Sequence, residues 1–364
     1  MNKKYFAIPL FAVLALASCG QKGDDPVVVP EVDDSKVVDE EVGLKALNDS
    51  LDKTFENDLL GIKAQKTFAK VDYHEYSYDA EGKKVDKNQY GNLTEVSLSI
   101  AASGLQSTKP EDFKVAAELS TKANISVDLG LEKPITCDEV LTPKAYVANS
   151  NLYFNLESSF YSNVVSAIAT SISRMFNPTA AETRVEVPTS GYIKDVVKFD
   201  EGVTPAEGLK QMVLDLFAEK EDGGTPAVPG VPVDTSEAAD VLKDNVKIMK
   251  VGNTSFQAII AYTQEAPEGH EGEGINAGVC LNFDSAKGLS SLLVRAAGKV
   301  TQTNAEYQAE QAAKGVEVEF TEAQLKENHV EASVDASVEL DVSTGSSVKV
   351  NLPDLTKYEE VVVK

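Results

Sequence analysis

From Val330 to Val342 apolar and polar side chains alternate without a break. Val330, Ala332, Val334, Ala336, Val338, Leu340 and Val342 fall on one side, and Glu331, Ser333, Asp335, Ser337, Glu339 and Asp341 on the other. Successive side chains of an extended chain point to opposite faces, so this period of two describes a strand with one dry face and one wet face. It is also long, since strands usually run to about five or six residues. Such a strand needs long partners, and their shared dry face must be covered. The same alternation recurs at Val96, Leu98 and Ile100 and at Ile125, Val127, Leu129 and Leu131, while Thr344-Gly345-Ser346-Ser347 turns the chain into Val348, Val350 and Leu352. In Ala145 to Phe154 two aromatic and β-branched runs flank Asn149-Ser150-Asn151, which predicts a hairpin. The hairpin expected at Gly252-Asn253, within 246–262, echoes it too loosely to indicate duplication.

Helical spacing appears in three places. Leu44, Leu47, Leu51, Phe55 and Leu59 predict a helix over 44–60, and Leu209, Met212, Val213, Leu216 and Phe217 predict an amphipathic helix over 206–220. The third helix spans 160–176 and has no charge from Ser158 to Ser173; Ser162, Ser166, Thr170 and Ser173 form its polar face. In so acidic a chain an outward face would normally carry carboxylates, so this helix is expected to be enclosed or to cover an enclosed space. Phe160, Val164, Val165, Ile168, Ile172 and Met175 are the candidate lining of an apolar cavity there, with a filled core as the alternative. The fold class expected is α+β: a long, curved, half-barrel-like antiparallel sheet with a few helices packed on its apolar face. A Pro- and Gly-rich loop at 223–235 separates two halves of a β-rich domain over 44–364.

The N-terminus has its own organisation. Lys3 and Lys4 precede an apolar run from Tyr5 to Ala17, too short for a lasting transmembrane helix, which ends in Leu16-Ala17-Ser18-Cys19. This segment resembles the signal peptide and lipobox of bacterial lipoproteins. The resemblance implies that residues 1–18 are removed, that Cys19 is acylated, and that the chain is anchored in the cell envelope, in the outer leaflet of the cytoplasmic membrane or in an outer membrane. Gly20 rather than an aspartate follows the cysteine, so there is no inner-membrane retention signal of the kind such lipoproteins carry. Residues 19–43 contain Pro26, Pro30 and eight acids between Asp24 and Glu41, and are expected to form an extended acidic tether. A formal charge of −24 with no Lys/Arg cluster excludes nucleic acid as a partner and leaves the acyl chains, not electrostatics, to hold the membrane. Cys137 and Cys280 remain; nothing in their spacing shows that they pair, and Cys280 fits a small buried hydrophobe.

Catalytic signatures are missing: there is no Gly-x-Gly-x-x-Gly, phosphate loop, Gly-x-Ser-x-Gly or His-Glu-x-x-His. His74 shares a strand face with Tyr76 and Tyr78, and His329 begins the long strand. Glu268, His270, Glu271 and Glu273 are the one cluster where metal ligation can be argued, but their spacing matches no metal loop, and a solvated hairpin connection is the simpler reading. No cofactor is implied. The chain has no Trp and does not alternate helix with strand, unlike indole-lined solute receptors with α/β cores. The element order and the run Tyr146-Val147-Ala148-Asn149-Ser150-Asn151-Leu152-Tyr153-Phe154 resemble bacterial half-barrel lipoproteins and lipoprotein carriers of the Lol type, over about half of the chain. That resemblance implies a concave apolar face that holds lipid or acyl chains, and it carries over no binding residue. The expectation is a non-enzymatic lipoprotein binding a lipid or other apolar ligand between sheet and helix. The alternative is a structural or adhesive surface protein whose acidic outer face meets a protein partner.

Overall fold

The computed structural model describes residues 29–64, 67–128, 134–176, 181–198, 202–217, 246–265, 270 and 273–362. The lipobox and Cys19, Leu129 and Leu131, and the loop at 223–235 lie outside these residues. The described chain is α+β, built on one antiparallel sheet. Its strands are β1 (Leu59–Ala64), β2 (Phe68–Tyr78), β3 (Lys84–Ser103), β4 (Lys114–Val127), β5 (Ile135–Leu141), β6 (Lys144–Ala148), β7 (Asn151–Asn155) and β8 (Ser190–Ile193), followed by β9 (Val246–Lys250), β10 (Ser255–Glu265), β11 (Gly274–Asp284), β12 (Gly288–Thr303) and β13 (Asn328–Thr344). The helices are α1 (Glu40–Phe55), α2 (Phe160–Phe176), α3 (Pro205–Phe217) and α4 (Asn304–Ala313).

β1 and β2 lie end to end in the middle of the sheet, between β3 and β13. From there one meander runs outward through β3, β4, β6, β7 and β8, with β5 on the far end of β4. The other begins at the opposite edge with β9 and works inward to β13. Register shifts interrupt β3 against β4, β11 against β12 and β12 against β13. The first sits at Glu95, whose φ of 53° marks a bulge. Such bulges bend strands this long and curve the sheet. The hairpin turn at Asn149-Ser150 has positive φ at both residues, 51° and 65°, as a two-residue turn of type I′ requires.

Residues opposite each other across a ladder share a face, so the register sorts the sheet into two. On the inner face, α1 drives Leu47 and Leu51, both fully buried, and Phe55 onto Phe256, Phe283 and Leu281. Gly43 lets this helix reach β9, since a Cβ there would stand 2.8 Å from Ile248. α3 lies beside α1, with Ala206 N–H donating to Leu105 O. A second inner cluster gathers Ala69, Leu93, Ala123, Ile125, Val334 and Ala336 under Phe160 and Tyr161 of α2. On the outer face, residues 29–38 cover Met249, Ile259 and Cys280 and then bond the free edge of β9, Val38 N–H donating to Ile248 O. Val350, Leu352, Leu355 and Tyr358 cover Tyr146 and Tyr153, and Tyr192 of the β8 edge exchanges backbone hydrogen bonds with Glu359 and Val361. The β9 and β8 edges are thus each covered by a segment from outside the sheet, which removes two templates for stray strand pairing.

Two expected boundaries move. The tether was expected to reach residue 43, but the chain is packed from Val29 and helical from Glu40. The apolar Val29, Val32 and Val37 find an outer-face patch, and Glu40 and Glu41 suit the positive end of a helix. The helix expected to continue to residue 60 ends at Phe55, because the Asp58 carboxylate accepts the Gly104 and Gln106 N–H groups and draws the chain into the sheet. Cys137 and Cys280 are both free: Cys137 belongs to the inner cluster and Cys280 to the outer one, so the sheet itself separates them.

Candidate apolar ligand site

The two inner-face clusters do not meet. On every central strand an apolar position lies between them: Ile100 between Ala102 and Val96 on β3, Val294 between Leu292 and Ala296 on β12, Val279 between Leu281 and Ile275 on β11. Ile62 of β1 and Leu340 and Val342 of β13 complete the row, with Ile100, Ile62 and Val342 directly opposite one another. All six are half-buried, whereas Val338, opposite Val294 on the same face, and Val334 and Ala336 further along β13 are buried. None of the six belongs to either of the clusters that the helices pack against.

The result is an apolar belt running across five adjacent strands from β3 to β11, about 19 Å at the usual strand spacing. α1 and α3 bound it at one end and the foot of α2 at the other. Its side chains carry no donor, acceptor or titratable group, so it can hold a ligand by dispersion and by exclusion of water, and it has nothing with which to polarise a bond. A different hollow of about 470 Å³, open and lined by Asp52, Glu56, Gln106, Thr204, Glu207 and Lys210 together with the apolar Phe55 and Ala206, lies between α1 and α3.

Among the described side chains, the flank of α2 expected to line an apolar cavity is largely open to solvent. Phe160 is docked on the inner cluster, but Val164 is only half-buried, Val165 is 39% exposed and Ile168 is 51% exposed. Ile172 and Met175 fall outside the residues whose side chains are described. The buried positions are Ala167 and Thr170, on the other side. There Ser162, Ser166 and Thr170 accept the N–H groups of Val187, Val185 and Thr183, at 3.0, 2.8 and 2.9 Å. The Ser162 and Ser166 hydroxyls donate back to the Val187 and Val185 carbonyls, while that of Thr170 donates to Ser166 O at 2.8 Å. Four helical residues rise about 6.0 Å and two extended residues about 6.6 Å, so a hydroxyl every fourth residue meets an extended chain every second residue. The polar face needs no carboxylates because a backbone covers it, and this turns the apolar flank outward.

Of the argued metal cluster, Glu268 and Glu271 lie outside the described residues. His270 and Glu273 are in contact, but the imidazole places its two nitrogens against different carboxylates: Nδ1 lies 3.3 Å from Glu273 and Nε2 2.7 Å from Glu306. A single ion cannot meet both ring nitrogens, and among the described residues no group of three such side chains is arranged to hold a metal. His74 stacks on Tyr76 on the outer face with Nδ1 against Asp86. His329 lies flat against Tyr307, 3.6 Å between ring centres, and its Nδ1 meets Asn304 Oδ1; burial holds its pKa below the ordinary value. No helix among the described residues is long and apolar enough to cross a membrane. Comparison with protein-family models, with curated proteins and with solved structures finds no match.

The sequence contains the belt residues as alternating apolar positions, but alternation does not distinguish a covered position from a bare one. The signal overlooked was spacing: Ser162, Ser166 and Thr170 at i, i+4 and i+8, followed by the period-two run Thr183, Val185, Val187.

Proposed function

We propose that this chain is a membrane-anchored, extracytoplasmic lipoprotein without enzymatic activity, held by acyl chains on Cys19, that carries a lipid or another apolar ligand on the inner-face belt. The observation behind this reading is the half-burial of six contiguous apolar side chains on a curved sheet whose other apolar patches are covered by helix or strap. A contiguous apolar row that is left partly accessible is a feature of binding faces. Its lack of polar groups favours a ligand recognised by its hydrocarbon. The lipobox supplies the address.

The test is native mass spectrometry with lipid extraction on protein beginning after Cys19, so that the anchor cannot be mistaken for a ligand. A stoichiometric apolar adduct is expected. Val294→Thr combined with Val342→Thr keeps shape and strand propensity while placing two hydroxyls on the belt. It should leave the melting temperature nearly unchanged and weaken ligand retention about tenfold or more, since each hydroxyl covered by hydrocarbon costs roughly 1–3 kcal/mol. A clean apo mass that takes up no offered fatty acid or phospholipid would sink the proposal.

A further inference from the structure

The β10–β11 hairpin is fastened to the start of α4 through one imidazole. His270 Nε2 lies 2.7 Å from Glu306 Oε1, and Nδ1 lies 3.0 Å from Thr301 Oγ1 and 3.3 Å from Glu273 Oε2. The Thr301 hydroxyl, 2.7 Å from Glu273 Oε1, donates its single proton there when Nδ1 is protonated and can turn it to Nδ1 when it is not, while the Thr301 backbone N–H donates to Glu273 Oε2 in both cases. Glu306 caps α4, its Oε2 taking the backbone N–H and the hydroxyl of Thr303, and it presents only lone pairs to Nε2. Each ring nitrogen therefore has a carboxylate within reach, and only the doubly protonated ring donates to both. A neutral imidazole, in a side chain only 10% exposed, keeps the bond to Glu306 and the Thr301 hydroxyl but loses the donation to Glu273 and both ionic attractions.

We propose that this joint is a proton-controlled latch: the loop at His270 is held tightest to α4 while the ring is an imidazolium paired with both carboxylates, and is loosened when the ring loses a proton. Among the described residues the charged groups facing the ring are Glu273, just before β11, and Glu306 from α4, while β12 contributes the uncharged Thr301. Glu310, one turn further along α4, is occupied by Lys314 and Gln302. The hydrogen bond to Glu306 raises the pKa of His270 above the ordinary histidine value, burial opposing it less strongly. A group whose pKa is raised on folding contributes its full stabilisation below its unfolded value and loses it as the pH climbs through the folded one. The latch is thus tightest on the acid side of the His270 midpoint, which lies above the ordinary histidine value, and loosens on its alkaline side.

The test is an NMR titration of the labelled histidines of the ectodomain, read beside amide hydrogen exchange corrected for base catalysis, in the wild type and in His270→Gln. His270 should titrate above an ordinary histidine. Protection at Thr301 and Thr303 should fall through the same midpoint, the advantage over His270→Gln shrinking about tenfold per unit by which the pKa is raised. Glu306→Gln should move the midpoint down. If either variant fails to fold, the wild-type titration still decides. An ordinary or depressed midpoint for His270, or protection that crosses it without a step, would overturn the latch.

Discussion

α1 and α2 are of similar length and both pack on the inner face, yet they are held by opposite means. α1 buries Leu47, Leu51 and Phe55 and turns its charges to solvent, where Lys45 meets Asp49 and Lys53 meets Glu56. α2 is docked by Phe160 and Tyr161 at its foot; beyond them it is fastened by hydroxyls to an extended segment, and it shows Val165 and Ile168 to solvent. A hydrophobic stripe therefore names the buried face of a helix only when no stronger claim exists on the other face. In α2 that claim comes from the backbone of 183–187, whose N–H groups find acceptors on the helix and would otherwise need water.

The sharpest way to test the contrast is to truncate matched positions. Leu51→Ala removes a fully buried side chain from under α1 and should cost roughly 2–5 kcal/mol in chemical denaturation, because the sheet beneath cannot collapse into the gap. Ser166→Ala should cost less, about 1–3 kcal/mol, since it leaves the Val185 N–H without its acceptor and empties little volume. Its signature should be local, with faster amide exchange at Val185 and unchanged exchange in α1. Ile168→Ser should shift stability by no more than about 0.5 kcal/mol, as exposed substitutions do. A loss comparable to that of Leu51→Ala would show that α2 is held by its apolar flank after all, and the contrast would collapse.

Much of the sheet could be read in advance. The strand expected at Val330 to Val342 is observed from Asn328 to Thr344 with Ala332, Val334, Ala336 and Val338 buried, and the Asn149-Ser150 hairpin turn falls where its residues place it. The limits of α2 agree as well. These are local properties, fixed by side-chain period and turn chemistry. The belt was not legible, because whether Ile100 or Val342 is covered depends on where α1 and α2 land, over a hundred residues apart in sequence. The His270 joint was hidden for the same reason: its partners Thr301 and Glu306 are 31 and 36 residues away, and the hairpin loop read by itself looks like solvated glycine and glutamate.

The sequence by itself determined the class of fold, the strand faces, the approximate places of three of the four helices among the described residues and, through the lipobox resemblance, the expected anchor, because each rests on periodicity or on a contiguous motif. Only the tertiary structure decided which apolar positions are bare, which side of α2 is buried, and that Cys137 and Cys280 lie on opposite sides of the sheet. Those outcomes depend on which distant segment reaches a face first. Burial energy follows area and is indifferent to sequence order, so the chain's local pattern could not record them.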